Sequence, residues 1–352
     1  MSTAAKRRFI HPEKPREGDR VAVLSPSMGL PAVFPAPFEL GLRRLRDEFR
    51  VQPVEFPTTR MLNAEPEQRA ADIHAAFAEP TIAAIITSIG GDDQLKVLRH
   101  LDADLLARHP KPFFGYSDST NLLHFLWNAG VVAYHGGVVM VQWGRPGAMH
   151  PLTRESLRRA LFTRGECTLP VPATSTDVDL DWADPTSLTG EVALCPVPPW
   201  SWHGPQRRVS GPGWGGNLEV VDFQLRTARY LQPDDAYAGS VLFLESSEEM
   251  PSATYVYRVL MCMGERGLLQ QFPAVLVGRP KAWSLETPNE PTVKRAYTHE
   301  QHEAVLRAMA EYHPEAVVVL DVDIGHTDPQ LTLPHGGQIT VDAAARRIAV
   351  SY

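Results

Sequence analysis

Short apolar runs alternate with amphipathic stretches over the first 130 residues of the chain. Residues 20–25 and 81–88 read as buried strands, while residues 37–49 carry apolar side chains at the helical spacing. The alternation continues in the strand-like residues 112–115 and the helical residues 119–129. Strands and helices that alternate at this spacing are typical of βαβ units with a parallel sheet. The pattern predicts an α/β N-terminal domain over residues 1–150, with a parallel sheet of the Rossmann or flavodoxin-like type.

The pattern changes after about residue 145. Proline residues concentrate between Gly147 and Trp214, where helical periodicity is weak, and the whole chain has 31 prolines in 352 residues. Proline removes a backbone donor and interrupts regular structure. We therefore expect a linker over residues 151–185 and a second domain over residues 186–352. Helical and strand-like segments in that domain, with a closing hairpin over residues 338–352, predict a mixed α/β unit with a β-rich core.

Composition excludes several classes of function. The chain has 34 Lys and Arg against 41 Asp and Glu, a net charge of −7, which predicts neither a nucleic acid polymer nor an anionic membrane as partner. Its three cysteines, Cys167, Cys195 and Cys262, are too few and too scattered for a disulfide scaffold, so a reducing compartment is expected. Because no export signal and no membrane-spanning run is recognisable, we predict a cytoplasmic protein.

The segment around Ser117 is the most informative for chemistry. An apolar strand stops at Gly115 and a helix starts within three residues. A tight strand–turn–helix corner is the geometry that presents a nucleophilic hydroxyl in hydrolases, and the helix N-terminus supplies N–H donors for an anionic intermediate. The segment does not meet the G-x-S-x-G pattern, because position 119 is serine. The alternative is that Ser117 or Asp118 simply caps the helix.

Two glycines follow the strand at residues 81–88. Gly90 and Gly91 let a ligand approach the backbone closely, so a second oxyanion donor is expected there, paired with the N–H of Asp118. The alternative is a strand-to-helix turn that Asp92 or Asp93 caps.

A nucleophilic serine requires a base and a group that orients the base. His326 lies just beyond the apolar run at residues 317–320, and Glu245 ends the apolar run at residues 241–244. Both side chains therefore belong at strand ends, where such sheets bind ligands. The alternatives are an ordinary loop histidine and a helix-capping acid.

Two further segments invite a binding interpretation. Asn217 follows a glycine-rich stretch and begins a helix, which indicates either an anion site for a substrate carboxylate or an Asn cap.

A second segment resembles a zinc-binding helix. His299 and His302 flank Glu300, but they are spaced i, i+3 rather than i, i+4 as in a zincin helix. No metal is therefore expected.

Together these segments resemble the S66 serine peptidase family, which contains the L,D-carboxypeptidases and the microcin C self-immunity proteins. The matching pieces occur in the family's order and cover nearly the whole chain. They are Gly18-Asp19-Arg20-Val21 running to Ser25-Pro26-Ser27, Gly90-Gly91-Asp92-Asp93, Gly115-Tyr116-Ser117-Asp118, Gly215-Gly216-Asn217-Leu218, Leu242-Phe243-Leu244-Glu245 and Gly325-His326-Thr327.

The resemblance implies a triad with Ser117 as nucleophile, His326 as general base and Glu245 as the group that orients the imidazole. It implies an oxyanion hole from the backbone N–H groups of Gly91 and Asp118. It also implies that the two domains assemble the site between them, that the protein is a homodimer, and that no metal or organic cofactor takes part.

The Gly-Gly-Asp-Asp form and the run after Glu245 look more like the microcin-immunity branch of the family. That branch cleaves the amide between a C-terminal aspartyl residue and a nucleotide-like group, and holds the base by aromatic stacking. The expected substrate is therefore a small peptidyl-nucleotide or related peptide conjugate. Candidate contacts to it are Gly90, Asn217, Trp182, Trp200 and Trp202. Alternatively, the tryptophans pack in the core of the second domain. The alternative functions for the protein are an L,D-carboxypeptidase of muropeptides and a non-catalytic binding relative.

Overall fold

The computed structural model describes residues 8–184 and 186–352, so the boundary predicted at residue 185 lies outside the described residues. The strands, in chain order, are β1 (Arg20–Leu24), β2 (Gln52–Glu55), β3 (Ile82–Thr87), β4 (Phe113–Gly115), β5 (Ala133–His135), β6 (Glu166–Thr168), β7 (Thr174–Ser175), β8 (Cys195–Pro196), β9 (Ser201–His203), β10 (Arg208–Asn217), β11 (Val241–Glu245), β12 (Ala274–Gly278), β13 (Val317–Val322), β14 (Leu333–His335), β15 (Gln338–Asp342) and β16 (Arg347–Ser351).

The α-helices are α1 (Pro35–Asp47), α2 (Pro66–Ala78), α3 (Ala103–Arg108), α4 (Thr120–Asn128), α5 (Pro151–Phe162), α6 (Leu218–Thr227), α7 (Ala253–Glu265) and α8 (Pro291–Tyr312). Several of them begin with proline, whose fixed φ suits the first turn and whose missing N–H would have no partner there. Helix α5 falls in the stretch where weak helical periodicity predicts little helix, and that expectation is wrong at these twelve residues.

The first sheet has the order β14-β5-β4-β3-β1-β2. Strands β1 to β5 run parallel, as the alternating pattern predicts, whereas β14 is antiparallel to β5. Because β14 comes from the C-terminal half of the chain, that half closes one edge of the N-terminal sheet.

The second sheet has the order β6-β16-β15-β10-β11-β12-β13-β9 and mixes parallel and antiparallel pairs. Its centre, β10 to β13, is parallel, with helices α7 and α8 packed on it. The mixed α/β fold with a sheet-rich second unit is therefore the predicted one.

One apolar cluster joins the two sheets. It includes Val23 and Phe114 from the first sheet together with Phe243 and Val319 from the second, all completely buried. The two sheets consequently share a core, and the loops at their strand ends face one another. Within the described residues, no helix combines the length and the hydropathy needed to cross a bilayer.

Candidate active site

Ser117 lies on a strained corner at the carboxyl end of β4. Its φ is +58°, in the left-handed region, which a non-glycine residue occupies at a cost of about 1–2 kcal/mol. The residue begins a 3₁₀ turn, Ser117–Ser119, that leads directly into α4. Strain of this kind persists where the surrounding structure fixes the backbone, and it is common at functional sites.

The buried carboxylate of Asp118 ties this corner to the scaffold. Ser27 Oγ and the Gln94 N–H donate to Asp118 Oδ2, and Asn121 Nδ2 donates to Oδ1 at 2.8 Å. Burial raises the pKa of Asp118, while the hydrogen bonds from Ser27 and Gln94 lower it in part. No side-chain cap forms at α4, so Asp118 serves the corner rather than the helix end.

The glycine pair after β3 comes close to the same corner. A Cβ added at Gly90 would lie 2.9 Å from Ser117 Cβ and 3.4 Å from the Asp118 nitrogen. Gly91 has φ of +152°, and a Cβ there would collide with Ser27 and Met28. Within residues 8–184 and 186–352 the backbone N–H groups of Gly91 and Asp118 meet no acceptor. Free N–H groups beside a serine can bind an oxyanion.

Glu245 and His326 form a buried pair at the carboxyl ends of β11 and β13. His326 Nδ1 is 2.6 Å from Glu245 Oε2, and the Glu245 side chain is 0% exposed. The strand between them, β12, ends on Gly278, where an added Cβ would lie 2.6 Å from Glu245 Cβ. The absence of a side chain there lets the carboxylate reach across to the imidazole.

The charge around His326 is negative. Burial lowers its pKa, but the carboxylates of Glu245, Glu248 and Glu219 raise it, and the net pKa is about 9. Glu248 Oε2 lies 3.5 Å from His326 Nε2, the nitrogen that a serine would use. Burial raises the pKa of Asp179, and the charge of Glu248 raises it further while that of His326 lowers it.

Tyr116 connects the two halves of the site. Its ring centroid is 4.9 Å from that of His326, and it precedes Ser117 in the chain. In the described part of the chain no hydrogen bond joins Ser117 to His326. Hydrogen bonds between nucleophile and base are often formed only when substrate binds.

Asn217 combines a cap with an unused donor. Its Oδ1 accepts from the Val220 N–H at 3.0 Å, which is the Asn cap given above as the alternative to an anion site. Its Nδ2 is buried and has no partner within the described residues. Asn217 and Glu245 are register partners on neighbouring parallel strands, so the amide lies at the same sheet edge as the carboxylate.

The three candidate tryptophans have different surroundings. Trp200 is 4% exposed and donates its indole N–H to Asp323 at 2.8 Å, so its contacts are core contacts. Trp202 lies on β9, half-buried against the shared core. Trp182 is also half-buried and meets the Phe34 ring edge-on, with 5.8 Å between centroids.

The loop that carries Trp182 is fixed by two lysines. Lys281 Nζ donates to Asp179 Oδ1 at 2.8 Å, and Lys294 forms an ion pair with Asp177. Because the charge of His326 lowers the pKa of Asp179, this loop lies within electrostatic reach of the site, and Trp182 follows Asp179 by three residues.

The histidines of the zincin-like segment have separate partners. His299 is 3.3 Å from Glu303, and His302 is 3.0 Å from Asp321. Among the described residues no group of three or more His, Cys, Asp or Glu side chains is arranged to hold a metal ion.

Residues that the sequence pattern does not single out also border the site. Glu248 contacts His326, the charge of His326 acts on Asp179, and His135 donates to the Ile324 carbonyl in the same loop as His326. Glu248 follows Glu245 closely enough to be a candidate from the acidic run alone. His135 has no such signal, because its partner is 189 positions away.

Comparison with known proteins identifies the family. The model for the LD-carboxypeptidase N-terminal domain of the S66 peptidases matches residues 21–136, and the model for the C-terminal domain matches residues 210–341. The microcin C7 self-immunity protein MccF of Escherichia coli is 24% identical over 81% of this chain and 78% of its own. A probable murein peptide carboxypeptidase of Bacillus subtilis is 25% identical over 82% and 78%.

A solved structure of MccF in complex with aspartyl sulfamoyl adenosine superposes with a TM-score of 0.83 at 21% identity, covering 97% of this chain and 98% of that one. At this identity the superposition shows a shared fold. The two family models together span most of the chain, from β1 to β15. The chain therefore belongs to the S66 peptidase family of LD-carboxypeptidases.

Proposed function

We propose that Ser117, His326 and Glu245 act as a catalytic triad that hydrolyses an amide bond. Ser117 Oγ attacks the carbonyl carbon while His326 Nε2 takes the hydroxyl proton, and Glu245 stabilises the imidazolium that forms. The oxyanion accepts hydrogen bonds from the N–H groups of Gly91 and Asp118. His326 then gives its proton to the leaving nitrogen, and water hydrolyses the acyl-enzyme by the same steps.

The 2.6 Å contact between His326 Nδ1 and Glu245 Oε2 is the observation that carries this proposal. A carboxylate at that nitrogen fixes the tautomer in which Nε2 is free to act as a base. The strained Ser117 corner supports the same assignment, since the hydroxyl is held at a helix N-terminus beside unpaired N–H groups.

The proposed substrate is an acyl-aminonucleotide of the microcin C kind, cleaved at the amide between the terminal acyl group and the nucleotide part. MccF, which has this fold, binds aspartyl sulfamoyl adenosine. In this chain Trp182 borders the site, and stacking of a base on an aromatic ring contributes about 1–3 kcal/mol. The unpaired Nδ2 of Asn217 is a matching donor for an oxygen of the acyl group. Gly90, beside Ser117, leaves room for the substrate backbone.

A second candidate is removal of terminal D-alanine from muropeptide tetrapeptides. One curated relative is named a probable murein peptide carboxypeptidase. The carboxylate of Glu248, 3.5 Å from His326 Nε2, can pair with an ammonium group near the scissile bond. An aminoacyl nucleotide also carries such a group, so the assay below has to separate the two candidates.

One assay with two substrates separates the candidates. An aminoacyl sulfamoyl adenosine is followed for amide cleavage and a muropeptide tetrapeptide for released D-alanine, both by mass spectrometry. We expect cleavage of the nucleotide conjugate, and turnover of the muropeptide alone would reverse the order of the two candidates.

Point variants test the triad itself. Ser117→Ala and His326→Ala are each expected to lower kcat by about 10⁴-fold or more without loss of folding, while Glu245→Gln loses less. Exchange of a serine outside the site, Ser210→Ala, is the matched control. Wild-type turnover by Ser117→Ala would refute the mechanism.

The homodimer that the family resemblance implies and the cytoplasmic location expected from the sequence pattern both stay predictions. Light scattering coupled to gel filtration measures the first, and fractionation of the native cells measures the second.

A further inference from the structure

Two buried side chains hold the carbonyl groups that precede His326. His135 Nε2 is 3.0 Å from the Ile324 carbonyl oxygen, and Gln330 Nε2 donates to the Gly325 carbonyl oxygen at 2.9 Å. His135 is 0% exposed and Gln330 2%. Because a carbonyl can only accept, the proton of the His135 ring is on Nε2. Two side-chain donors thus fix the backbone from which the His326 imidazole projects.

The same donors are bonded to the sheet that carries Ser117. His135 is the register partner of Gly115 in β4, and the Gly136 N–H donates to the Gly115 carbonyl oxygen at 3.0 Å. The Gly137 N–H donates to Gln330 Oε1 at 2.8 Å. Residues 135–137 therefore contact the Ser117 strand on one side and the His326 loop on the other.

We propose that His135 and Gln330 are positioning residues that set the separation between Ser117 and His326 across the two sheets. The inference rests on the proposed function, in which these two residues exchange a proton. A displacement of about 1 Å between reacting groups can reduce a rate by about 100-fold. Buried side chains with satisfied hydrogen bonds resist such displacement better than a free loop does.

Packing alone does not explain a histidine at position 135. Its ring lies among aromatic neighbours, with centroids 6.1 Å from Tyr116 and 5.2 Å from Phe243, where phenylalanine would pack equally well. Its Nδ1 has no partner within the described residues. Among the described residues the ring forms a single hydrogen bond, to Ile324, so the Nε2 donor is what distinguishes histidine from phenylalanine here.

The test measures how fast a fluorophosphonate probe labels Ser117, a reaction that depends on the Ser117–His326 geometry and not on substrate recognition. His135→Phe is expected to lower the labelling rate by about 100-fold. His135→Gln, which returns an Nε donor, is expected to recover most of the rate. Gln330→Glu removes the donor to Gly325 but keeps an acceptor for Gly137, and should slow labelling in the same way. If His135→Phe does not fold, Gln330→Glu still tests the proposal.

Matched variants separate positioning from general stability. His124 is another buried histidine whose Nε2 contacts a backbone carbonyl, that of Gly215, at 3.0 Å. His124→Phe is expected to keep the wild-type labelling rate whatever it does to the melting temperature. In a His326→Ala background, His135→Phe should cause no further loss, because its effect passes through His326.

Wild-type labelling rates in folded His135→Phe and Gln330→Glu would overturn this inference while leaving the triad intact. Equal labelling of Ser117→Ala and of the wild type would instead overturn the proposed function, and this inference with it.

Discussion

At the scale of single residues, the Glu245–His326 contact depends on two positions that have no side chain. An added Cβ would lie 2.6 Å from Glu245 Cβ at Gly278 and 2.8 Å from it at Gly325. Real carbon atoms do not approach so closely, and Glu245 Cβ is bonded directly to the backbone, so it cannot move away as the end of a flexible side chain could. The glycine at the end of β12 is therefore part of how a carboxylate on β11 reaches an imidazole beyond β13.

Gly278→Ala should displace Glu245 from His326. We expect kcat to fall by about 10- to 100-fold, because the imidazole loses its orienting partner, and the free energy of unfolding to fall by about 1–3 kcal/mol from overpacking. Steady-state kinetics and urea unfolding measure the two effects. Gly190→Ala is the matched control, since only the Ser187 carbonyl oxygen comes within 4 Å of an added Cβ there. Unchanged kcat in Gly278→Ala would show that Glu245 reaches His326 without this space.

The pKa of His326 sets the pH dependence expected of the free enzyme. At pH 7 an imidazole with a pKa of about 9 is protonated and cannot accept the Ser117 proton. The value of kcat/KM should therefore rise with pH and level off above about pH 9. Glu248→Gln removes a carboxylate 3.5 Å from Nε2 that favours the imidazolium, so the rising limb should move to lower pH by up to about one unit.

The pH–rate profile of Glu249→Gln is the control, because that exposed carboxylate adjoins Glu248 in the chain but forms no ion pair with His326 among the described residues. If the rising limb of the pH–rate profile does not move in Glu248→Gln, the Glu248 carboxylate turns away from His326 in solution.

The location of Ser117, Glu245 and His326 at strand ends can be predicted from the sequence, because each follows a run of apolar residues that must be a buried strand. The surroundings of these residues cannot. Glu248 lies 3.5 Å from His326 from about 80 positions away in the chain, and the charge of His326 acts on Asp179 from about 150 positions away. His135 contacts a carbonyl in the loop beyond a strand of the other sheet. Such contacts depend on how the sheets pack, which no local pattern encodes.

At the scale of elements, the alternating pattern predicts the parallel strands of the first sheet and fails where structure depends on distant partners. The pattern also predicts a helix over residues 94–100, where the structure has two 3₁₀ turns. Strand β14 has three residues, and its pairing with β5 joins positions about 200 apart. The sequence pattern misses helix α5 because it lies in the proline-rich stretch, where Pro151 begins the helix and His150 caps it. Short elements stabilised by long-range pairing leave little periodicity to detect.

The different surroundings of two tryptophans lead to opposite expectations for their alanine variants. Trp200→Ala should lower the free energy of unfolding by about 3–5 kcal/mol, because it opens a cavity and leaves Asp323 without its indole donor. Trp182→Ala, in the half-buried loop, should change stability much less and raise KM for a nucleotide substrate by about tenfold.

Urea unfolding and steady-state kinetics on both variants measure this contrast. Trp202→Ala serves as the comparison, since that residue is half-buried on an edge strand. Equal KM values for Trp182→Ala and the wild type would remove Trp182 as a base-stacking residue.

At the scale of the whole molecule, three buried histidines lie where the two sheets meet. His124 contacts the Gly215 carbonyl, His135 the Ile324 carbonyl, and His335 accepts from the Gly215 N–H at 3.4 Å. Burial lowers the pKa of all three, that of His124 to about 4. The shared core thus contains imidazoles that must stay neutral for the sheets to pack.

These histidines should make the fold sensitive to acid above the range in which carboxylates titrate. The unfolded chain binds protons at histidine near pH 6.5, whereas folded His124 binds one only near pH 4, so the free energy of unfolding falls as pH drops between those values. The loss from His124 alone is on the order of 3 kcal/mol. Urea unfolding at intervals from pH 7 to pH 4 measures it. His124→Gln keeps a donor to Gly215 without titrating and should flatten the profile, while the exposed His299→Gln should not. If the free energy of unfolding depends on pH equally in His124→Gln and the wild type, His124 does not cause the loss of stability in acid.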